Sequence, residues 1–395
     1  MKYVSGPYFE PDFDPVLDRL GTPGVVVDNE TREDCSLVKV DSVNRDGVLL
    51  EMVQLLTDLD LVIYKSYISS DVFHVTDQIG RKLTDPSLPG FIQRALLPFQ
   101  RSGSPKFTTC LGNVVGPGGP DVSDCASLEF TVHDHPGLLS SITQVLVDQG
   151  CHVASGQAWT HNGRAAGVLY VTTTGADTAT APLHPSRWAR IERLVNAVVN
   201  ARENLSGERR WVCMSAPVRG RVHAERRMHQ LMHDDRDYES GPAPTPVDEE
   251  HFCMGDRAAT AARSAHRTQT RVTIDNWEER GYAIVKMTSR DRPKLLFDTV
   301  CALTDMHYVV FHATVGAQGP LAIQEYYIRH KDGRTVDSDA ERQKVSRCLV
   351  AAVERRASHV SQPPLAISFL SVRPSVYFVG RAMLRRHGIM SLCRA

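Results

Sequence analysis

No stretch of the 395 residues approaches the ~18 consecutive apolar residues of a membrane-spanning helix, so no membrane association is expected. No sign of charge prevails either: 45 basic residues face 46 acidic ones, a net charge of -1. A nucleic-acid partner calls for a basic surface, and this balance predicts none. The nine cysteines are odd in number and contain no C-x-x-C pair. That fits reduced thiols in an intracellular protein, cytoplasmic or nuclear, rather than a disulfide framework. The opening Met1-Lys2-Tyr3-Val4-Ser5-Gly6-Pro7 lacks the apolar core of a secretory leader. The triplets Asn29-Glu30-Thr31 and Asn204-Leu205-Ser206 are therefore read as chance, not as glycosylation sites.

Local catalytic patterns are missing as well. There is no G-x-S-x-G elbow and no H-E-x-x-H helix. The glycine-rich stretch at 112–119 lacks the Lys-Ser/Thr ending of a phosphate loop. His229 and His233 stand at i, i+4, but no further ligand follows at metal spacing, and a solvated helix is the preferred reading. No catalytic residue, cofactor or metal is expected, and the chain is not expected to be an enzyme.

What is present is an ordinary globular composition, 42% hydrophobic and 23% charged, over a length that suits two or three domains. One pattern recurs three times: Asn44-Arg45-Asp46-Gly47-Val48-Leu49, Asp134-His135-Pro136-Gly137-Leu138-Leu139, and Asp291-Arg292-Pro293-Lys294-Leu295-Leu296. Each follows an alternating, strand-like run (36–43, 127–133 and 282–290) and precedes apolar residues at helical spacing, such as Leu49, Met52, Val53 and Leu56. Asn44, Asp134 and Asp291 are suited to cap the helices, and Pro136 and Pro293 to enter them. A β-branched strand pair and a second helix follow. The unit reads β-α-β-β-α with a further strand, an α+β, ferredoxin-like (βαββαβ) layer with helices on one face.

A larger repeat emerges from the spacing. Asp28 to Asp275 and Asn44 to Asp291 are both 247 residues, so a leading strand plus a unit recurs as one block. The first copy lacks six residues where its hairpin turns, near Ser69 and Ser70, and shortened strands are expected there. The expected divisions are an extension 1–23, a first unit 24–111, a linker 112–123, a second unit 124–201, a charged linker 202–268, a third unit 269–359 and an atypical tail 360–395.

These residues resemble the ACT domain, a small-ligand regulatory module. In order and spacing they resemble the plant ACT-domain-repeat proteins, whose units are similar to the ACT tail of bacterial uridylyltransferases. That family usually carries four units; here three are recognisable and the fourth is absent or truncated. The resemblance implies binding of free amino acids through ACT-domain interfaces, as a sensor or allosteric regulator. The implied ligand residues are Asp134, His135, Gly137, Leu138 and His152; Asn44, Arg45, Gly47 and Val48; and Asp291, Arg292 and Leu295. Helix N-terminal amides and a glycine that permits close approach suit a carboxylate, and the acidic or amide side chains suit an ammonium. In such domains the ligand lies where this turn meets the start of the second strand of a neighbouring unit, here Leu61-Val62, Cys151-His152 or Tyr308-Val309. Two alternatives stay open. The turn residues serve as helix caps and nothing more, or the protein is an interaction scaffold whose sheet edges take a second copy or a client protein.

Overall fold

The computed structural model describes residues 24–41, 47–67, 71–96, 107–109, 114–115, 125–173, 185–200, 210–215, 224–240 and 270–361. In chain order the elements begin with β1 (Gly24–Asp28), β2 (Ser36–Asp41), α1 (Val48–Asp58), β3 (Val62–Tyr67), β4 (Val72–Thr76), α2 (Leu88–Leu96) and the short β5 (Phe107–Thr108) and β6 (Val114–Val115). Next come β7 (Ala126–His133), α3 (Leu138–Asp148), β8 (Cys151–His161), β9 (Arg164–Thr173), α4 (Pro185–Asn200), β10 (Trp211–Ser215) and α5 (Ala224–Asp235). The remainder are β11 (Arg271–Trp277), β12 (Tyr282–Arg290), α6 (Leu295–Asp305), β13 (Tyr308–Gln318), β14 (Leu321–His330), α7 (Asp339–Glu354) and β15 (Arg356–Ser361).

The same backbone irregularities recur at fixed offsets in three strand–helix–strand–strand runs. Gly47, Gly137 and Lys294 stand in the left-handed region immediately before their helices. Thirteen residues on, Asp60, Gly150 and His307 are left-handed again and turn the chain out of the helix. Four residues later a β-bulge falls at Tyr64, Ala154 and Phe311. Fixed punctuation of this kind sets which side chains face the core, because each bulge shifts the alternation by one. The hairpin strands after α1 are six and five residues long, against eleven and ten in each of the other two runs.

Contacts divide the chain into two units: residues 1–121 with 236–354, and 122–235 with 355–395. Unit 1 holds one antiparallel eight-stranded sheet ordered β1-β2-β4-β3-β13-β14-β12-β11. The second strands of its two runs meet at the centre, with Tyr67 opposite Thr314 and Ser66 opposite Val315. α1 and α6 pack side by side over that join, and a single apolar core runs beneath both halves. α6 is buried nearly all round, from Leu295 to Leu303.

The leading strands β1 and β11 fill the outer edges, where an extra strand was expected. Each carries an asparagine that ties the run to its far loop: Asn29 Nδ2 donates to the Leu83 carbonyl (2.7 Å), and Asn276 Nδ2 to that of Val336 (2.8 Å). The Asn29 side chain is thereby committed inside the fold. Its Oδ1 also accepts from Ser36 Oγ, which in turn accepts the Leu83 N–H (2.8 Å). At the position 247 residues after Ser36 stands Ala283, and Asn276 Oδ1 is buried without a partner. Ala283→Ser is therefore expected to raise stability by about 1 kcal/mol in urea unfolding, and to add nothing when Asn276 is alanine.

Unit 2 holds a five-stranded antiparallel sheet, β10-β7-β9-β8-β15. Here the closing strand is β10, which lies in the stretch expected to be a linker. α3 and α4 cover one face, and α5, also from that stretch, covers the other. The expectation of helices on one face is corrected here, as is that of a solvated helix at 221–233. Met228, His229, Leu231 and Met232 are buried against Trp159, Ala166 and Val168. His229 meets Trp159 edge-on, 4.7 Å between ring centroids.

Candidate functional site

Each recurrent turn is built by backbone geometry rather than by side-chain caps. Around Pro136 the His135 carbonyl accepts the Leu138 N–H (3.2 Å), and Gly137 has φ 85° and ψ 4°. Proline followed by a left-handed glycine is the signature of a type II turn. The helix starts at Leu138, so Pro136 lies in that turn rather than in the first helical turn. Asp134 and Asp291 do not cap: neither α3 nor α6 has a side-chain cap bond. Their backbone N–H groups instead donate to the Gly163 and Pro320 carbonyls, at 2.6 and 2.9 Å. The carboxyl groups therefore take no part in closing the helices.

At the third turn Lys294 holds φ 66° without the freedom of glycine. A left-handed side chain is strained by about 1–2 kcal/mol, against a smaller entropy loss for glycine. Lys294→Gly is expected to stabilise unit 1 by about 0.5–1 kcal/mol, read as a higher urea midpoint. Arg292 is engaged internally: it donates to the Val353 carbonyl at the end of α7 (3.0 Å) and pairs with Asp298 at 2.5 Å.

Topology decides which turns meet which strands. β3 is parallel to β2, because both are antiparallel to β4, so Tyr67 lies at the end of the sheet where Gly47 opens α1. β13 runs antiparallel to β3 and therefore begins, at Tyr308, at that same end. By the same logic Val62, the start of β3, lies at the end where Asp291 to Leu295 open α6. From Tyr67 opposite Thr314 and Ser66 opposite Val315, β13 runs on toward that end and finishes at Gln318, two residues before the Pro320 that receives the Asp291 N–H. In unit 1 each turn therefore shares an end with the second-strand start of the other run.

The first of these junctions, where Gly47 opens α1 and β13 begins, is polar. Tyr308 is buried and donates to Glu341 (2.7 Å); burial, and then that carboxylate, hold its phenol above the usual range. His330 Nδ1 lies 2.8 Å from Asp332, which is held at about 2 chiefly by hydrogen bonds from Arg334.

Unit 2 differs. β7 and β8 are parallel, so His152 sits at the opposite end of its sheet from Asp134, His135, Gly137 and Leu138. The outer edge of β8 takes β15, with Arg356 opposite Thr160 and Ser361 opposite Ser155, not the second strand of another run. Asp134 is exposed and His135 half-buried. Among the candidates, Gly47 and Val48 lie at the first junction, and Asp291, Arg292 and Leu295 at the second. Asn44 and Arg45 lie outside the described residues.

The pattern of sequence repeats did not reveal the cover of unit 2 by α5. Its signal was present: Met228, Leu231 and Met232 at i, i+3, i+4 within a charged stretch. Two bidentate pairs fasten it, Arg164 to Asp235 (2.8 and 2.9 Å) and Arg227 to Glu129 (2.8 and 3.1 Å). Beneath it Tyr170 is pushed up to about 12, mainly by burial. Among the described residues, no group of three or more His, Cys, Asp or Glu is arranged to hold a metal ion, and no helix is long and apolar enough to cross a membrane.

Comparison with known proteins agrees with this architecture. Residues 31–103 match the model of the ACR family N-terminal ACT domain. The ACT domain-containing protein ACR3 of Arabidopsis thaliana is 42% identical over 364 residues, 91% of this chain and 75% of that one. ACR4 of the same plant is 41% identical over 355 residues, covering 88% and 72%. A bifunctional uridylyltransferase/uridylyl-removing enzyme of Nitrobacter winogradskyi is 28% identical over 88 residues, 21% of this chain and 10% of the enzyme. With that identity sustained over nearly its whole length, the chain belongs to the plant ACR family of ACT domain-containing proteins.

Proposed function

We propose that the protein is a non-catalytic regulator that binds a free amino acid at the two junctions of unit 1. In this reading its three runs are three ACT units, two joined through a shared sheet and one standing in unit 2. The observation that carries it is the central pairing of β3 with β13, which sets each helix-opening turn at the same end as the other run's second-strand start. At such a place helix amides meet a carboxylate, and Asp291 or a backbone carbonyl meets an ammonium. Occupancy would tighten the join of the two runs, and a regulator needs only that difference in affinity between a looser and a tighter state. Isothermal calorimetry with each of the twenty amino acids tests the reading. Saturable binding of one or a few is expected; no heat and no thermal shift with any of them up to millimolar concentration would reject it.

A further inference from the structure

β11 closes one edge of the sheet in unit 1, and among the described residues no strand pairs with its outer side. It has seven residues, against five in each of the edge strands β1 and β10 and six in β15. Natural edge strands are commonly blunted by proline, lysine or a bulge. The run Arg271-Val272-Thr273-Ile274-Asp275-Asn276-Trp277 has no proline or lysine, and its ladder with β12 is unbroken.

The sheet fixes which backbone groups of β11 are open. Asp291 N–H donates to the Pro320 carbonyl at the end of the β12–β14 ladder, so odd-numbered residues of β12 turn their backbone groups toward β14 and even-numbered ones toward β11. Those even-numbered residues stand opposite Arg271, Thr273, Asp275 and Trp277. The N–H and C=O groups of Val272, Ile274 and Asn276 therefore point away from the sheet. Side chains alternate as well: Val272 and Ile274 are half-buried against the core, while Arg271, Thr273 and Asp275 are exposed on the other face.

We propose that this edge is a homodimer interface, in which β11 pairs antiparallel with β11 of a second copy about a two-fold axis at Thr273. In that register Val272 of each copy stands opposite Ile274 of the other, and both exchange backbone hydrogen bonds through the groups that point outward. The side chains complement themselves at every position. Val272 meets Ile274 on the core face. On the open face the two Thr273 hydroxyls meet at the axis, and Arg271 stands directly opposite the second copy's Asp275, twice by symmetry. Within one copy Arg271 and Asp275 are about 13 Å apart along the strand, too far to pair. A short edge pairing buries less than a standard interface, so a dissociation constant in the micromolar range is expected. The junctions of unit 1 lie at the centre of the sheet, so the proposal does not depend on the amino-acid reading.

The test is analytical ultracentrifugation of the full chain, from low micromolar to several hundred micromolar, for the wild type, Arg271→Asp, Asp275→Arg and the double variant. All the changes are at exposed positions, and thermal melting checks that each protein folds. A monomer–dimer equilibrium is expected in the wild type. Each single reversal sets two like-charge pairs face to face and should raise the dissociation constant at least tenfold, and the double variant should return to within about threefold of the wild type. A wild type that stays monomeric, or a dimer that neither reversal weakens, would overturn the proposal. So would single effects that the double variant fails to repair, since the register would then be wrong. Species growing beyond a dimer would also overturn it, as they would mean that β11 meets another edge head to tail.

Discussion

Replacing Arg164 with alanine is expected to destabilise unit 2 by about 3 kcal/mol, because it removes the bidentate partner of the buried Asp235 carboxylate. The pair is bidentate, and the two side chains are only 12% and 3% exposed. A charge at such a site that loses its bidentate partner is partly protonated or drawn toward water, and in the second case the end of α5 loosens. The loss should appear as an earlier urea transition in tryptophan fluorescence, since Trp159 lies beneath α5. The pair itself adds far less than its breakage removes, since desolvation offsets most of the attraction. Arg164→Met combined with Asp235→Leu should therefore return to within about 1 kcal/mol of the wild type. A single Arg164→Ala change below about 0.5 kcal/mol would mean that α5 is not held by this pair.

Gly167→Ala is expected to cost about 3 kcal/mol through overpacking. Gly167 sits opposite Phe130 across β7 and β9, and a methyl group there would lie 2.2 Å from the end of that ring. Phe130 is fully buried between the sheet and α3 and α4, so the ring has no space into which to withdraw. The same alanine placed beside Phe130→Leu should be tolerated better than the two single changes together suggest, a coupling of about 1–3 kcal/mol in a double-mutant cycle. Additive effects would show that the ring does not rest on the glycine.

Much of the architecture was legible in the residues. The 247-residue offset links Asp28, Asn44 and Asn29 to their counterparts, and the structure adds a shared asparagine clamp to that spacing. The turns were located correctly by Gly47, Gly137 and Lys294, but their mechanism was not. Aspartate before a helix suggests a cap, yet a proline followed by a left-handed residue already ends the strand and aims the helix. The misreading of the 202–268 stretch has a physical cause too. β10 offers only five residues, and α5 shows a narrow apolar stripe among charges, so neither stands out until a sheet face exists to receive it. The pairing of β3 with β13 was not derivable from the sequence alone: Ser66 and its partner Val315 lie 249 residues apart, and only the shared core under α1 and α6 selects it.

That pairing makes amide hydrogen exchange with and without a saturating amino acid the most telling measurement. The account predicts slower exchange on binding at four places in unit 1: the openings of α1 and α6 and the first residues of β3 and β13. Saturable binding that leaves all four unchanged would contradict it, because the ligand would then lie away from the join of the two runs.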